Sequence, residues 1–257
     1  MQYIDKSIRE NEGKQIIDNL LSDCWNNEDN SYVEANYDTL CKHEYREPFV
    51  NLLLEEQSNL CCYCMRELAN DHKTTLEHII PHKVSITDFA EYTSKLLINN
   101  IIHKDNFNRS NNVIPPAKYP YDIAYHNLIA SCNSNLHCNN YRGNKFINSL
   151  FYDIEIDQKV EYDKKGNAFS DEYLDDLEKI GISTDQLLII YRKIWYELAK
   201  VKESAEDIND NDISEIILSI SLESNNQSTL VNFWDSPSKR PDLLKYKWFF
   251  DYYKNKL

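Results

Sequence analysis

The stretch that decides the fold runs from residue 61 to residue 145 and reads, in its informative parts, Cys61-Cys62-Tyr63-Cys64, Leu76-Glu77-His78-Ile79-Ile80-Pro81, Asn127-Leu128-Ile129-Ala130-Ser131-Cys132 and His137-Cys138-Asn139. It contains two short-spaced cysteine pairs, Cys61 with Cys64 and Cys132 with Cys138. Zn²⁺ takes four tetrahedral nitrogen or sulfur ligands, which two such pairs can supply together. The sequence therefore predicts a structural zinc site made of these four cysteines.

Other uses of these cysteines remain open at this point. His137 lies beside Cys138 and can replace one thiolate, and the thiols can also be buried without a metal. Cys62 is expected to point away from the ion as a small packed side chain. Disulfides are not expected, because no secretory segment opens the chain and a reducing bacterial cytoplasm, its expected location, keeps thiols free.

The residues between the two pairs suit phosphodiester hydrolysis, which needs a base for water and a cation for the phosphate. His78 is the expected base, since an imidazole is largely neutral near neutral pH. Glu77 and Asn139 offer the oxygen ligands that Mg²⁺ or Mn²⁺ prefers. Asn127 is expected to orient His78 by accepting a hydrogen bond from its second ring nitrogen. The pattern predicts a nuclease site.

At this point the chain resembles the HNH nuclease family. The longer runs over residues 53–66 and 137–145 look like the PtuB-like members of that family, which belong to Septu and some retron anti-phage systems. The resemblance continues more weakly through residues 162–166 and the region of Tyr191. It implies an α+β protein in which a zinc-stapled ββα-metal core is embedded in helices.

The resemblance also implies roles and partners. Glu77 and Asn139 would bind the catalytic Mg²⁺ or Mn²⁺, His78 would activate water, and Asn127 would orient it. The expected partners are nucleic acid, a PtuA-like ATPase of the ABC/SMC type and, in a retron context, a reverse transcriptase with its msDNA. The chain would act as the nuclease subunit of an anti-phage defence system.

Four basic or ionisable residues near these motifs are candidates for holding the phosphate backbone: His82, Lys83, Arg142 and Lys145. Each has an ordinary alternative. His82 and Lys83 can simply be solvated, while Arg142 and Lys145 can form an exposed helix face.

Composition limits the protein class. The 257 residues carry a formal net charge of −14, which opposes binding to a polyanion. Residues 58–150 hold nine Lys/Arg against seven Asp/Glu, so they are the least acidic part. We therefore expect a partner to supply much of the binding affinity for nucleic acid. No apolar run approaches the roughly 18 to 20 residues of a membrane span, and the chain is expected to be soluble.

Periodicity divides the chain into an N-terminal helical segment (1–57), the nuclease core (58–150) and a hairpin with a C-terminal helical lobe (151–257). Helices are predicted over about 44–57 and from a cap at 183–185 to about 202. The hairpin is predicted over 151–169, with its turn at 163–166. Within the core, 83–125 is polar and contains prolines, so it is expected to be an inserted surface loop with a short helix at 87–98. His103 and Lys104 would contact substrate if this insertion is a flap. The aromatic run 243–253 predicts a terminal helix, with Leu244, Trp248 and Tyr252 on one face, that packs in the core or contacts a partner.

Two other functions stay open. The chain can be a zinc-stapled binding module without catalysis, for which the four cysteines suffice. It can also be a purely structural subunit of a defence complex. The scarcity of glycine, four residues in all, argues against a phosphate-binding glycine-rich loop and hence against ATPase activity in this chain.

Overall fold

The computed structural model describes residues 1–28, 31–32, 35–98, 107–108, 119–148, 150–223 and 239–257. Its helices are α1 (Glu10–Asp23), α2 (Tyr37–Leu40), α3 (His43–Glu56), α4 (Ile86–Ile98), α5 (Cys138–Arg142), α6 (Ile156–Lys159), α7 (Leu174–Lys179), α8 (Gln186–Val201), α9 (Asp210–Glu223), α10 (Lys239–Leu244) and α11 (Trp248–Lys254). Its strands are β1 (Trp25–Asn26), β2 (Ser31–Tyr32), β3 (Thr74–His78), β4 (Phe107–Asn108), β5 (Tyr119–Pro120), β6 (Leu128–Cys132), β7 (Glu161–Tyr162) and β8 (Ala168–Phe169). This mixture of helices and small sheets agrees with the predicted α+β class.

The antiparallel pair β3–β6 positions the predicted site. Its register places Thr74 opposite Cys132 and His78 opposite Leu128. Every residue of β6 is buried, as expected for a strand covered on both faces. The short helix α5 follows β6 and packs against it. The antiparallel pairing therefore places the end of β3 and the start of β6 at one end of the strand pair, and Cys132 at the opposite end.

The buried Gln57 side chain joins the segment before the first cysteine pair to β6. Its amide oxygen accepts from the backbone of Ala130 at 2.7 Å, and its amide nitrogen donates to the carbonyl of Ala130 at 2.8 Å and to that of Leu60 at 2.9 Å. One side chain thus satisfies both backbone groups of a strand residue, a need that burial makes strict. Helix α3, which carries the chain to this point, spans His43–Glu56 and confirms the helix predicted there.

Helix α1 packs closely on the loop that precedes β6. A side chain at Gly13 would collide with the ring of Tyr125, so only glycine permits this approach. The ring of Tyr125 also lies edge-on to Phe49 of α3. The N-terminal helices and the strand pair therefore share one hydrophobic core, which also includes residues of the C-terminal helices.

The C-terminal region agrees with part of the prediction. Helix α8 begins after Asp185, whose carboxylate accepts from the backbone of Leu187 at 2.8 Å, as the sequence predicts for a cap in this region. The β7–β8 hairpin forms around the predicted turn. Residues 151–160, however, form helical turns and not strands. Ile156 and Val160 are buried four residues apart, a spacing that suits a helix as well as a short alternating run.

The aromatic terminal run also differs from a single helix. It is split between α10 and α11, and Leu244, expected on the apolar stripe, is 51% exposed. Phe249, Phe250 and Tyr253 are buried instead, and α11 packs on α8. This arrangement favours the core-packing interpretation over the partner-contact one.

The insertion contains the predicted helix, α4, which begins at Ile86. His103 and Lys104, named as possible flap contacts, lie outside the described residues. Across the part of the chain that is described, no helix is both long enough and apolar enough to cross a membrane.

Candidate zinc centre and histidine site

Four buried cysteine sulfurs come together at one point. The sulfurs of Cys61, Cys64, Cys132 and Cys138 all lie within 4.8 Å of one another. The separations Cys61–Cys138 and Cys64–Cys132 are both 3.8 Å. A tetrahedral ion with metal–sulfur bonds of about 2.3 Å requires sulfur separations of about 3.8 Å, whereas a disulfide needs about 2.0 Å. The four cysteines are thus free, and they are placed where they could hold a zinc ion.

Local backbone geometry aims the first pair at this point. The backbone N–H of Met65 donates to the carbonyl of Cys61 at 3.2 Å, and that of Cys61 donates to Arg66 at 2.8 Å, which closes a tight knuckle. Met65 adopts φ of 60°, the left-handed conformation such a turn requires. Cys62 is buried but is outside the four-sulfur set, as expected.

Neighbouring groups suit the negative charge that four thiolates would carry. The backbone N–H of Cys132 points at the sulfur of Cys61 at 3.4 Å. His137, the alternative ligand, lies just outside the set, with Nδ1 3.1 Å from the sulfur of Cys138 and Nε2 3.6 Å from the carboxylate of Asp185. Burial raises the pKa of the Cys64 and Cys138 thiols, so a cation is needed to make all four thiolates.

Glu77, the predicted catalytic-metal ligand, is committed elsewhere. It is 3% exposed and forms an ion pair with Arg142, and it accepts from the hydroxyl of Tyr63 at 3.0 Å. Burial raises the pKa of this carboxyl group, although Arg142 opposes the shift. Asn139 contacts the same face of β3, where its amide donates to the hydroxyl of Thr75 at 2.8 Å. Tyr63 and Arg142 both contact Oε1 of Glu77, and the role of Glu77 and Asn139 as ligands of a catalytic cation stays a prediction.

Arg142, predicted to bind substrate, is buried and bonded to oxygens of the protein itself. It is 1% exposed and donates to the carbonyls of His78 at 2.6 Å and Ile79 at 2.8 Å, besides its ion pair with Glu77. An arginine fork satisfies several oxygens at once, so it can fasten α5 to the end of β3. Lys145, in contrast, is exposed, with its ammonium group 5.0 Å from the centre of the Tyr141 ring.

His78 faces the other side of β3 from Glu77, as alternation along a strand requires. Its Nε2 lies 2.9 Å from the carbonyl oxygen of Asp122. A carbonyl can only accept, so Nε2 carries the proton and Nδ1 keeps its lone pair. Burial lowers the pKa of His78 to about 3, which keeps the ring neutral at physiological pH. The rings of Tyr37 and His82 flank it, with centroids 4.7 Å and 5.2 Å away.

Asn127 does not make the predicted hydrogen bond to His78. Its side-chain oxygen accepts from the backbone of Ile80 at 2.7 Å, and its nitrogen donates to the carbonyl of Tyr121 at 2.7 Å. The completely buried Asn127 thus ties the turn after β3 to the segment that contains Asp122. It acts on His78 indirectly, through the carbonyl that holds the ring.

Asp122 is the residue that the sequence did not identify. Its carboxylate accepts from the backbone of Tyr37 at 3.2 Å and lies 3.9 Å from Nε2 of His82. It belongs to the predicted surface insertion, and no local pattern marks it, because its contacts come from residues more than 35 positions away. His82 is half-buried and Lys83 is exposed, so the site meets solvent on this side. Comparisons of the chain with family models, curated proteins and solved structures give no match, and the chemistry of the site rests on its own residues.

Proposed function

We propose that this chain is an HNH-type endonuclease that hydrolyses phosphodiester bonds of nucleic acid in a metal-dependent reaction. The order β3, β6, α5 supports the proposal, because it matches the ββα core that the sequence resemblance implies. The four cysteines support it as well, since they join the knuckle, the end of β6 and the start of α5 at one point. This staple would hold His78 at a fixed position on the strand pair.

The observation that carries the proposal is the state of His78. The carbonyl of Asp122 fixes its tautomer, and Nδ1 has no hydrogen-bond partner among the described residues. A general base needs an available lone pair and a second group that orients the ring. A neutral imidazole held by a backbone carbonyl meets both requirements.

In the proposed reaction, Nδ1 of His78 takes a proton from a water molecule as that water attacks the phosphorus atom. The P–O bond to the leaving sugar oxygen breaks, that oxygen takes a proton from solvent water, and His78 then releases its own proton to solvent. The Nε2–H bond to Asp122 keeps the ring aligned and shares the positive charge that develops on it. A divalent cation, when bound, would offset negative charge on the phosphate oxygens. The low pKa of the free ring disfavours protonation, and a bound phosphate dianion or diester anion nearby raises it toward a useful range.

A groove beside this site has room for substrate. Its volume is about 740 Å³, and its lining includes Tyr37, Arg46, His43 and His72. Tyr37 links it to His78, because the two ring centroids are 4.7 Å apart. Arg46 and Tyr37 also cap the outer carbonyls of β3, at Thr74 and Leu76. The lining also contains Glu47 and Asp71 and ends at Leu76. A strand of nucleic acid that extends from this groove past Tyr37 would place a phosphate near His78.

The test is cleavage of plasmid, single-stranded DNA and total tRNA by the purified zinc-loaded chain in Mg²⁺ or Mn²⁺. At least one substrate should be cut by wild-type protein and not by His78→Ala. Lys164→Ala is the control, because Lys164 is exposed in the turn between β7 and β8 and does not line the groove. Equal cleavage by wild type and His78→Ala would reject the proposal.

One observation favours a second candidate, a zinc-stapled subunit that binds nucleic acid or a partner without catalysis. Glu77, the expected ligand of the catalytic cation, is held by Arg142. If this second function is correct, His78 is an ordinary buried histidine. The His78→Ala variant would then equal the wild type in cleavage and in partner binding. The same assay separates the two functions.

The resemblance to PtuB-like proteins extends the proposal to a defence complex with a PtuA-like ATPase. The acidic charge of the chain supports a need for such a partner, because self-sufficient nucleases rely on cationic surfaces to hold the phosphate backbone. Adding the co-expressed ATPase should increase cleavage by wild-type chain and leave His78→Ala inactive. An ATPase that neither binds the chain nor stimulates it would remove this part of the proposal.

A further inference from the structure

We infer that His82 is the general acid of the proposed reaction, the group that gives a proton to the leaving sugar oxygen while His78 takes one from the attacking water. The inference rests on the proposed function and deepens it, because it supplies the second proton transfer of the hydrolysis. His82 thereby becomes a catalytic residue, whereas the sequence predicted it as a contact for the phosphate backbone.

The first evidence is that one residue, Asp122, faces both histidine rings. Its backbone carbonyl accepts from Nε2 of His78 at 2.9 Å, and Oδ2 of its carboxylate lies 3.9 Å from Nε2 of His82. The two nitrogens of an imidazole point in different directions, so Nδ1 of each ring is turned away from Asp122. A carboxylate behind a histidine orients it for proton transfer. The distance of 3.9 Å is long for a hydrogen bond, but catalytic hydrogen bonds often shorten only when substrate binds.

The second evidence is the spacing and alignment of the two rings. The ring centroids of His78 and His82 are 5.2 Å apart, and the ring planes differ by 15°. In an in-line displacement the attacking and leaving oxygens lie on opposite sides of the phosphorus atom. Two-metal phosphodiesterases serve these two oxygens with ions about 4 Å apart, so two rings side by side at 5.2 Å have a suitable spacing. A phosphate lying across both rings would meet the base at one end and the acid at the other.

The third evidence is the difference in exposure between the two rings. His78 is 8% exposed, whereas the side chain of His82 is 39% exposed. A general acid must regain its proton after each reaction, and contact with solvent allows this. The groups that face the His82 ring are the Asp122 carboxylate, the ring of His78 and the ring of Tyr37, whose centroid is 5.4 Å away. The Tyr37 hydroxyl is not the better acid, because it donates to a backbone carbonyl of β3.

The proton transfers balance with the two histidines alone. As the P–O bond to the leaving sugar oxygen breaks, its electron pair stays on that oxygen, which takes the proton from Nδ1 of His82. His82 becomes neutral and recovers a proton from solvent, and His78 releases to solvent the proton that it took from water. The net change is the hydrolysis of one diester by one water molecule, so solvent remains the final source of the proton.

The test compares two linkages in single-turnover cleavage by the full-length, zinc-loaded protein. The first is an oligonucleotide that the wild type cuts, with the cut linkage mapped from its products. The second has the same sequence, with sulfur in place of the leaving oxygen at that linkage. Thiols are much stronger acids than alcohols, so a leaving thiolate is stable without a proton and needs no general acid.

His82→Gln should cut the natural linkage at least about 10²-fold more slowly than wild type, and the sulfur linkage within about threefold of the wild-type rate. Asp122→Asn should show the same pattern to a smaller extent, because it keeps the backbone carbonyl on His78 and removes only the charge behind His82. His78→Ala should be slow on both linkages, since each needs a base. The exposed Lys164→Ala is the control and should match wild type on both.

An equal loss on the two linkages in His82→Gln, or no loss on the natural one, would overturn the inference and leave His78 as the base. Circular dichroism and zinc content show whether each variant is folded, and His82 is exposed enough for its variant to carry the test if Asp122→Asn does not fold. Failure of the nuclease proposal has a different signature. A wild type that cuts neither linkage, or a His78→Ala protein that cuts both at the wild-type rate, would reject the nuclease and the general acid together.

Discussion

At the scale of single residues, Arg142 decides how the site should be understood. Its guanidinium group contacts Glu77 and the carbonyls of His78 and Ile79 in a nearly dry environment. Removing one member of a buried ion pair leaves the other charge without compensation, which is strongly unfavourable. This basic residue beside the predicted site therefore contacts the protein itself and not solvent.

We predict that Arg142→Ala lowers the free energy of unfolding by about 3 to 5 kcal/mol. Chemical denaturation with equal zinc loading measures this change. The neighbouring Lys145→Ala is the control, because an exposed lysine should change stability by less than about 0.5 kcal/mol. A stable Arg142→Ala protein that has lost only its affinity for nucleic acid would restore the substrate-binding role.

His78 gives a prediction about pH. Burial lowers its pKa from 6.5 to about 3. Between these two pH values the His78 ring is protonated in the unfolded chain and neutral in the folded chain. Stability present above pH 6.5 is therefore lost progressively as pH falls toward 3. Urea unfolding between pH 7 and pH 4 should show a smaller acid loss in His78→Gln than in wild type. Parallel profiles would mean that the folded ring titrates normally.

The sequence identifies some of these residues and not others, for a physical reason. Cysteine spacing is a local signal, so the four-sulfur set can be predicted directly. Asp122 acts through Tyr37, His78 and His82, and no local pattern predicts such contacts. The state of Glu77 depends on Arg142, which is 65 residues away. Local motifs name candidate groups, and tertiary contacts decide which of them are available.

At the scale of elements, the strand pair β3–β6 and helix α5 depend on the cysteine cluster. These are short elements of five residues each, too short to be stable alone. A metal bound to four sulfurs from three segments would add binding free energy directly to folding.

We therefore predict that Cys61→Ser abolishes zinc binding and lowers the free energy of unfolding by at least about 3 kcal/mol. Elemental analysis and denaturation measure the two effects. Cys62→Ala is the matched control: it removes an adjacent buried thiol outside the cluster and should keep its zinc. Zinc retained in Cys61→Ser, or lost in Cys62→Ala, would show that the ligand set is different.

Elements themselves are predictable where their pattern is long. The helices α3 and α8 confirm the predicted ones because their apolar spacing persists over several turns. The predictions for the segment 151–160 and for the terminal aromatic run agree less well with the structure. Packing against α8 determines that Phe249, Phe250 and Tyr253 are buried, and the terminal sequence alone carries no information about that contact.

At the scale of the whole molecule, the acidic net charge opposes the proposed binding of nucleic acid. The chain carries a net charge of −14, while residues 58–150 hold a small excess of basic side chains. Substrate should therefore bind weakly and best at low ionic strength, where counterion release favours phosphate contacts. Cleavage assays belong at about 50 mM salt for that reason.

The most direct measurement is the single-turnover cleavage rate of zinc-loaded His78→Ala against wild type at low salt, with Mn²⁺ present and zinc content matched. Loss of a general base costs at least about 10²-fold, so we predict a fall of that size with folding and zinc unchanged. A His78→Ala rate within about threefold of wild type, far short of that loss, would contradict the account.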